Sequence, residues 1–355
     1  MSENNQKRSD SIDFLRCIAV LFVLIFHYTS RFPSEYMGYD QSIPWPWHGV
    51  YGVFLFFVVS GYCIMMTAER SNSRRQFLVR RFTRLQPAFV ASVIITASVV
   101  GVLGLPGREV SNLAAFQNML WLPLVDPKIG LVDGAYWSIL VEVKFYIVFA
   151  MLYFIRPNLG LWMFIAFTAL GAIIHFTGYG STLETPVTPF RGISGSYLFF
   201  PFSLFFLVGM AARSAGYAKQ IAIVSACIVT MYFVWGWSSF FAWAAAVSVI
   251  GVVGVQCHRV RIWRPIVYVG IISYPLYLLH QNVGVAMIRE MNSWGITSPY
   301  LRIALATLAV TSLAAVVSWA VEHRFRHAIE RGIKTTSEQF LKIVRLPTLP
   351  QTPPN

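Results

Sequence analysis

Ten apolar runs, each bounded by polar or basic residues, follow one another along the chain. They lie, with approximate ends, at Ile12–Tyr28, Gly49–Ala68, Leu85–Leu105, Tyr136–Ile155, Leu161–Thr177, Tyr197–Ala212, Gln220–Trp235, Ser238–Gln256, Ile266–Met287 and Tyr300–Val321. A helix that crosses a bilayer needs about 20 mostly apolar residues. The pattern therefore predicts an all-α polytopic membrane protein with about ten transmembrane helices. The first run carries Arg16 and no small-residue cleavage site, so it reads as a retained span and not a signal peptide. The expected organisation is a cytoplasmic N-terminal segment (1–11), a membrane domain (12–321) and a cytoplasmic tail (322–355), whose Pro-rich end, Leu346–Asn355, reads as disordered.

Charge placement tests this count, because a missing span would scramble the alternation of basic loops. Starting inside, 20 of the 28 Lys and Arg residues fall on the inner side. Six fall outside, namely Arg31, Arg108, Lys128, Arg191, Arg289 and Arg302, and Arg16 and Lys144 lie within spans. The bias predicts that both termini are cytoplasmic.

Composition narrows the function classes. The chain is 56% apolar and 12% charged with a mean hydropathy of +0.59, about half the usual charged fraction. That excludes a soluble enzyme, a nucleic-acid-binding module and a disordered chain. The net charge of +13 follows from topology and needs no nucleic-acid partner. Cys17, Cys63, Cys227 and Cys257 sit in or at the ends of apolar runs and suggest neither a disulfide framework nor a metal site. Tryptophans at 45, 47, 121, 235, 237 and 294 read as interfacial anchors.

Ionisable groups inside spans are costly and point to function. Arg16 and His27 are eleven residues apart, which at about 100° per residue returns to within roughly 20° of the same helix face after a rise of about 16 Å. They mark the two ends of one polar stripe, and Asp13 is placed to orient Arg16. Ser138, Glu142 and Tyr146 recur at spacing four and share a second stripe. His280 follows Ser273-Tyr274-Pro275-Leu276-Tyr277, where Pro275 should kink the helix and help shape a cavity. Arg81 and Arg84, close together at the start of the third span, can grip an anion, although most of that basic loop is an orientation signal.

These motifs together resemble acyltransferase family 3, integral-membrane enzymes that transfer acyl groups, often acetyl, to surface glycans and other acceptors. The resemblance rests on Ile12-Asp13-Phe14-Leu15-Arg16 through Phe26-His27, on Phe56-Phe57-Val58-Val59-Ser60-Gly61, and on Arg81-Phe82-Thr83-Arg84 followed by Pro87. It extends to Trp137-Ser138-Ile139-Leu140-Val141-Glu142 and to Ile272-Ser273-Tyr274 with His280. Phe54 stands where many members have Asp, Cys17 where Gly is usual, and Val143-Lys144 where Glu and Gln are frequent, so no role is transferred to those positions.

The resemblance implies an acyl-CoA donor, most simply acetyl-CoA, and no metal. Its phosphates would be held by Arg16, Arg81 and Arg84 at the inner side, with the pantetheine arm running up the bundle. His27 would act as general base on an acceptor hydroxyl, with Glu142 orienting its ring; an acyl-histidine intermediate is the variant. Ser60, Ser138, Tyr146, Tyr277 and His280 would line the site. The implied acceptor is a glycan or lipid-linked glycan at the outer face of a bacterial inner membrane, with a small-molecule acceptor as the alternative, and membrane lipid is the surrounding partner. The competing reading is a transporter in which His27, Glu142 and His280 line a pathway; no internal repeat supports it.

Overall fold

The computed structural model describes residues 10–38, 47–126, 128–177, 199–257 and 262–323. Their regular structure is entirely helical, with no strand among them. In chain order the helices are α1 (Asp10–Phe26), α2 (Gly52–Glu69), α3 (Arg74–Leu103), α4 (Asn112–Met119), α5 (Tyr136–Tyr153), α6 (Gly160–Phe176) and α7 (Ser203–Ser214). They continue with α8 (Tyr217–Trp235), α9 (Ser239–Gln256), α10 (Arg264–Ile271), α11 (Ser273–Leu279), α12 (Asn282–Ser293) and α13 (Pro299–Val317).

Among the described residues, eight helical segments are long and apolar enough to cross a membrane. The remaining two apolar runs take other forms. The run at Tyr197–Ala212 becomes the shorter α7. The run at Ile266–Met287 is broken into α10, α11 and part of α12. The first break has a chemical cause: a proline ring collides with the carbonyl four residues earlier, and for Pro275 that carbonyl belongs to Ile271, the last residue of α10. Pro275 then sits in the first turn of α11, where its missing N–H costs nothing.

Local signals fix other ends. Ser73, Ser238 and Ser298 each accept a backbone N–H of the following first turn, capping α3, α9 and α13. Asp10 and Asp13 lie in the first turn of α1, where the helix dipole favours negative charge. At its far end α1 passes directly into a π-helical turn, His27–Arg31, so His27 stands where the backbone changes pitch.

α2 forms the centre of the bundle and is buried on nearly all sides. Its closest neighbour is α7, and the contact depends on two glycines: a Cβ at Gly61 would overlap the Phe206 carbonyl, and one at Gly209 the Val58 carbonyl. Small residues at such crossings let helix backbones touch, the main source of packing energy where lipid removes the hydrophobic drive. Phe54, at the position where the resemblance expects Asp, stacks on Phe205 with ring centres 4.4 Å apart and meets Phe202, Trp235 and Phe240. That aromatic cluster leaves no polar environment for a carboxylate. α6, α8, α9 and α13 turn Trp162, Ile173, Val229, Phe233, Val253 and Leu308 outward, as lipid-facing helices should. Trp121 departs from the anchor role: it stacks on Phe89 at 4.1 Å and donates its indole N–H to Gln86. Trp45, Arg191 and the tail lie outside the described residues.

Candidate active site

A cavity of about 70 Å³ runs between α1, α2, α3, α5 and α11. Arg16, Arg81 and Arg84 line it together with Ser60, Ser138, Glu142, Tyr146 and Tyr277. One water needs about 10–15 Å³ by this measure, so the space holds a short file of small groups.

At the arginine end, Arg16 Nη1 lies 3.4 Å from Asp13 Oδ1, the pair that their spacing anticipates. Its Nη2 reaches Cys63 Sγ at 3.4 Å. Arg81 is 95% enclosed, donates from Nη2 to the Cys63 carbonyl at 3.0 Å and rests against the Phe77 and Tyr146 rings. Both guanidinium groups thus converge on Cys63, a residue the sequence alone did not single out. Arg80, in the same basic cluster, is spent on structure: it donates to the Arg70 carbonyl at 2.7 Å.

In the middle of the cavity, Glu142 Oε1 accepts hydrogen bonds from Ser60 Oγ at 2.6 Å and from the Tyr146 hydroxyl. The Ser138–Glu142–Tyr146 stripe faces inward as the spacing predicts. Glu142 also lies within electrostatic reach of Arg81, so a buried cation and a carboxylate share one low-dielectric space. Ser138 Oγ and Tyr277 Oη are 2.8 Å apart.

Tyr277 is the shared wall between this cavity and a second constellation. Its ring packs on His280 with centres 5.3 Å apart. His280 Nε2 lies 3.1 Å from His27 Nδ1. Donor and acceptor roles follow from the other partners. His280 Nδ1 faces the Tyr277 carbonyl at 2.7 Å, which only an N–H can satisfy, so in the neutral ring Nε2 is an acceptor. His27 Nδ1 faces the Val23 carbonyl at 2.8 Å and therefore carries the proton shared with His280. His27 Nε2 is left as the free lone pair, the arrangement a general base requires. Tyr28 secures the pair by donating to the His280 carbonyl at 2.6 Å.

The sequence-based expectation that Glu142 orients His27 is not met in this geometry. Glu142 is bonded to Ser60 and Tyr146, and the partner of His27 is His280. The breaks around α11 explain the exchange: they let Leu279–Gln281 turn inward, which sets the His280 ring against the end of α1.

Below the histidines, Asp133 forms a clamp that also escaped the sequence reading. It is fully buried in the turn before α5, with Oδ1 accepting from Ala135 N at 2.8 Å and Oδ2 from Asn282 N at 2.8 Å. Asn282 returns a bond to the Val132 carbonyl at 2.9 Å. The clamp ties the α5 start to the segment just after His280. Burial pushes the Asp133 carboxyl up to about 6, against the pull of the two backbone N–H groups and of Arg108. A local signal existed, since an Asp side chain commonly accepts the backbone N–H two residues on in a turn, but its tertiary partner had none.

Among the described residues no group of three His, Cys, Asp or Glu side chains could hold a metal ion.

A family model described as an acyltransferase domain matches residues 9–322. The peptidoglycan O-acetyltransferase OatA of Listeria monocytogenes is 23% identical over 364 residues, covering 89% of this chain and 55% of that protein. An O-acetyl transferase of Shigella phage Sf6 is 33% identical over 97 residues, 26% of this chain and 27% of its own. The chain thus spans about half the length of the Listeria relative. No solved structure gives a significant match.

Proposed function

The chain belongs to the acyltransferase-domain family, and from that premise we propose that it moves an acyl group, most simply acetyl, from acyl-CoA to a hydroxyl of a glycan. The name of the Listeria relative supports O-acetylation of a glycan as the reaction class, and that of the phage relative supports O-acetyl transfer. In this reading the acyl-CoA donor is what membership of the family suggests, and the sides of the membrane are taken from the bias of basic residues. In this reading the arginine end of the cavity faces the cytoplasm, as the bias of basic loops indicates. Arg84 and Arg16 hold the phosphates, the pantetheine arm threads the cavity past Ser60 and Glu142, and the thioester arrives at the Tyr277 wall. The acceptor, a free or lipid-linked glycan, comes from the opposite side.

The observation that carries this reading is the shared proton between His27 Nδ1 and His280 Nε2, which leaves His27 Nε2 unprotonated. His27 Nε2 takes the acceptor hydroxyl proton while that oxygen attacks the thioester carbonyl. The C–S bond breaks, and the thiolate leaves with the proton from His27. His280 and the Val23 carbonyl stabilise the imidazolium as it forms, so His280 fills the positioning role. Glu142 serves the donor channel: it offsets the buried Arg81 charge and holds Ser60.

Purified protein in lipid nanodiscs, given acetyl-CoA and an oligosaccharide, should release free coenzyme A and yield an alkali-labile acetyl increment by mass spectrometry. His27→Ala should abolish both while the protein remains folded. Coenzyme A release by His27→Ala at the native rate would refute the base assignment, and no release by the native protein would favour the transporter.

A further inference from the structure

Four of the six basic residues assigned to the outer side divide into two kinds. Arg289 donates to the Gly104 carbonyl at 2.8 Å and buried Arg302 to the Met37 carbonyl at 2.7 Å, so both are fasteners of backbone. Arg31 and Arg108 are not. Both guanidinium groups lie against Phe32, at 5.1 and 5.2 Å from its ring centre, and Phe32 in turn stacks on His27 at 5.6 Å. Both are within electrostatic reach of the His27 ring.

Arg108 is held in place by its Nε bond to the Tyr36 hydroxyl at 3.3 Å, and Tyr36 itself donates to the Pro106 carbonyl at 3.1 Å. That uses one edge of the guanidinium and leaves its two Nη groups free to donate. No carboxylate among the described residues forms an ion pair with Arg31 or Arg108. Asp133, which is within electrostatic reach of Arg108, has both oxygens engaged by backbone N–H groups. Two cations converging on one ring with no ion-paired carboxylate among the described residues repel each other, an arrangement that an anion relieves.

We propose that Arg31 and Arg108 form an anion subsite at the mouth beside His27, which binds a carboxylate or phosphate of the acceptor. The acceptor is then an acidic sugar or a sugar phosphate, with the hydroxyl to be acylated held next to His27 Nε2. Arg108, half-buried with its Nη edge unengaged among the described residues, matches either anion bidentately, and Arg31 is exposed beside it. This assignment rests on the reading that acceptor enters at the His27 end.

The test is binding of three matched probes to the purified full chain: a neutral oligosaccharide, its C6-oxidised uronate form and its monophosphate. One or both anionic forms should bind about tenfold or more tightly than the neutral one, the scale of a single charge-assisted bond. The preference should shrink as ionic strength rises, a readout that needs no variant. In Arg31→Gln/Arg108→Gln the ratio should fall to about one, and Arg108→Lys should retain part of it. Preference for the uronate alone, the phosphate alone or both supports the subsite and names its anion. Equal binding of all three probes by the native protein, or a preference that survives in the double variant, overturns it. Because binding is read without turnover, a protein that prefers anions but releases no coenzyme A refutes the transfer reaction and not the subsite. One that releases coenzyme A without anion preference does the reverse.

Discussion

Replacing His280 by Phe separates the two candidates for the group that supports His27. The ring is fully buried, so an aromatic of similar size keeps the packing on Tyr277 and His27 while removing the Nε2 acceptor. His27 keeps its Val23 carbonyl at 2.8 Å, so tautomer and orientation persist. What is lost is one hydrogen bond to an imidazolium that forms during attack. A bond to a charged group contributes about 1.5–3 kcal/mol, which corresponds to a fall in kcat of roughly 10- to 150-fold. His27→Ala removes the base itself and should cost about 10²- to 10⁴-fold. Glu142→Gln touches only the donor cavity and should act mainly through the KM for acyl-CoA. Steady-state coenzyme A release, with melting temperatures to confirm folding, ranks the three variants. If His280→Phe leaves kcat within about twofold while Glu142→Gln matches His27→Ala, the histidine pair is not the reacting arrangement, and Glu142 is the partner that the sequence suggested.

Other expectations follow from the same geometry. Asp133 has its carboxyl raised from 3.8 to about 6, so the folded state binds the extra proton. Its contribution to stability is complete below about pH 4 and is lost as pH rises through about 6; melting curves across pH 4–7 should show this slope, and Asp133→Asn should flatten it. Gly209→Val drives a side chain into the Val58 carbonyl and should cost more than about 4 kcal/mol or block assembly, measured as yield of folded protein after mild detergent extraction. Gly284→Ala would displace the Tyr28 hydroxyl from the His280 carbonyl; a loss of activity larger than its loss of thermal stability is expected. By contrast Arg213→Ala removes an ion pair whose two side chains are 38% and 36% exposed, and its melting temperature should move by no more than about 1 kcal/mol implies.

Much of the architecture was legible in the chain. A span is a local property, so run length located the eight membrane-length helices without reference to tertiary structure. Stripes within one helix were equally legible: Ser138, Glu142 and Tyr146 face one cavity because their spacing of four obliges them to. So was the Asp13–Arg16 pair. The break before α11 could be read from Pro275.

Partners on different helices were another matter. Ser60 and Glu142 are 82 residues apart, and His27 and His280 are 253 apart. Their meeting depends on how each helix is rotated and tilted. In a soluble protein the apolar face fixes that rotation, but α2 is almost wholly apolar and buried on nearly all sides, so its pattern carries no such information. Rotation was decided by close backbone contacts, Gly61 and Gly209 between α2 and α7 and Gly270 against the Asp13 carbonyl, and by the breaks around α11. The sequence by itself determined which polar groups enter the membrane domain and which share a helix face. Only the tertiary structure decided that His27 is paired with His280 while Glu142 faces Ser60, because that choice lies in interhelical packing, which no single segment encodes.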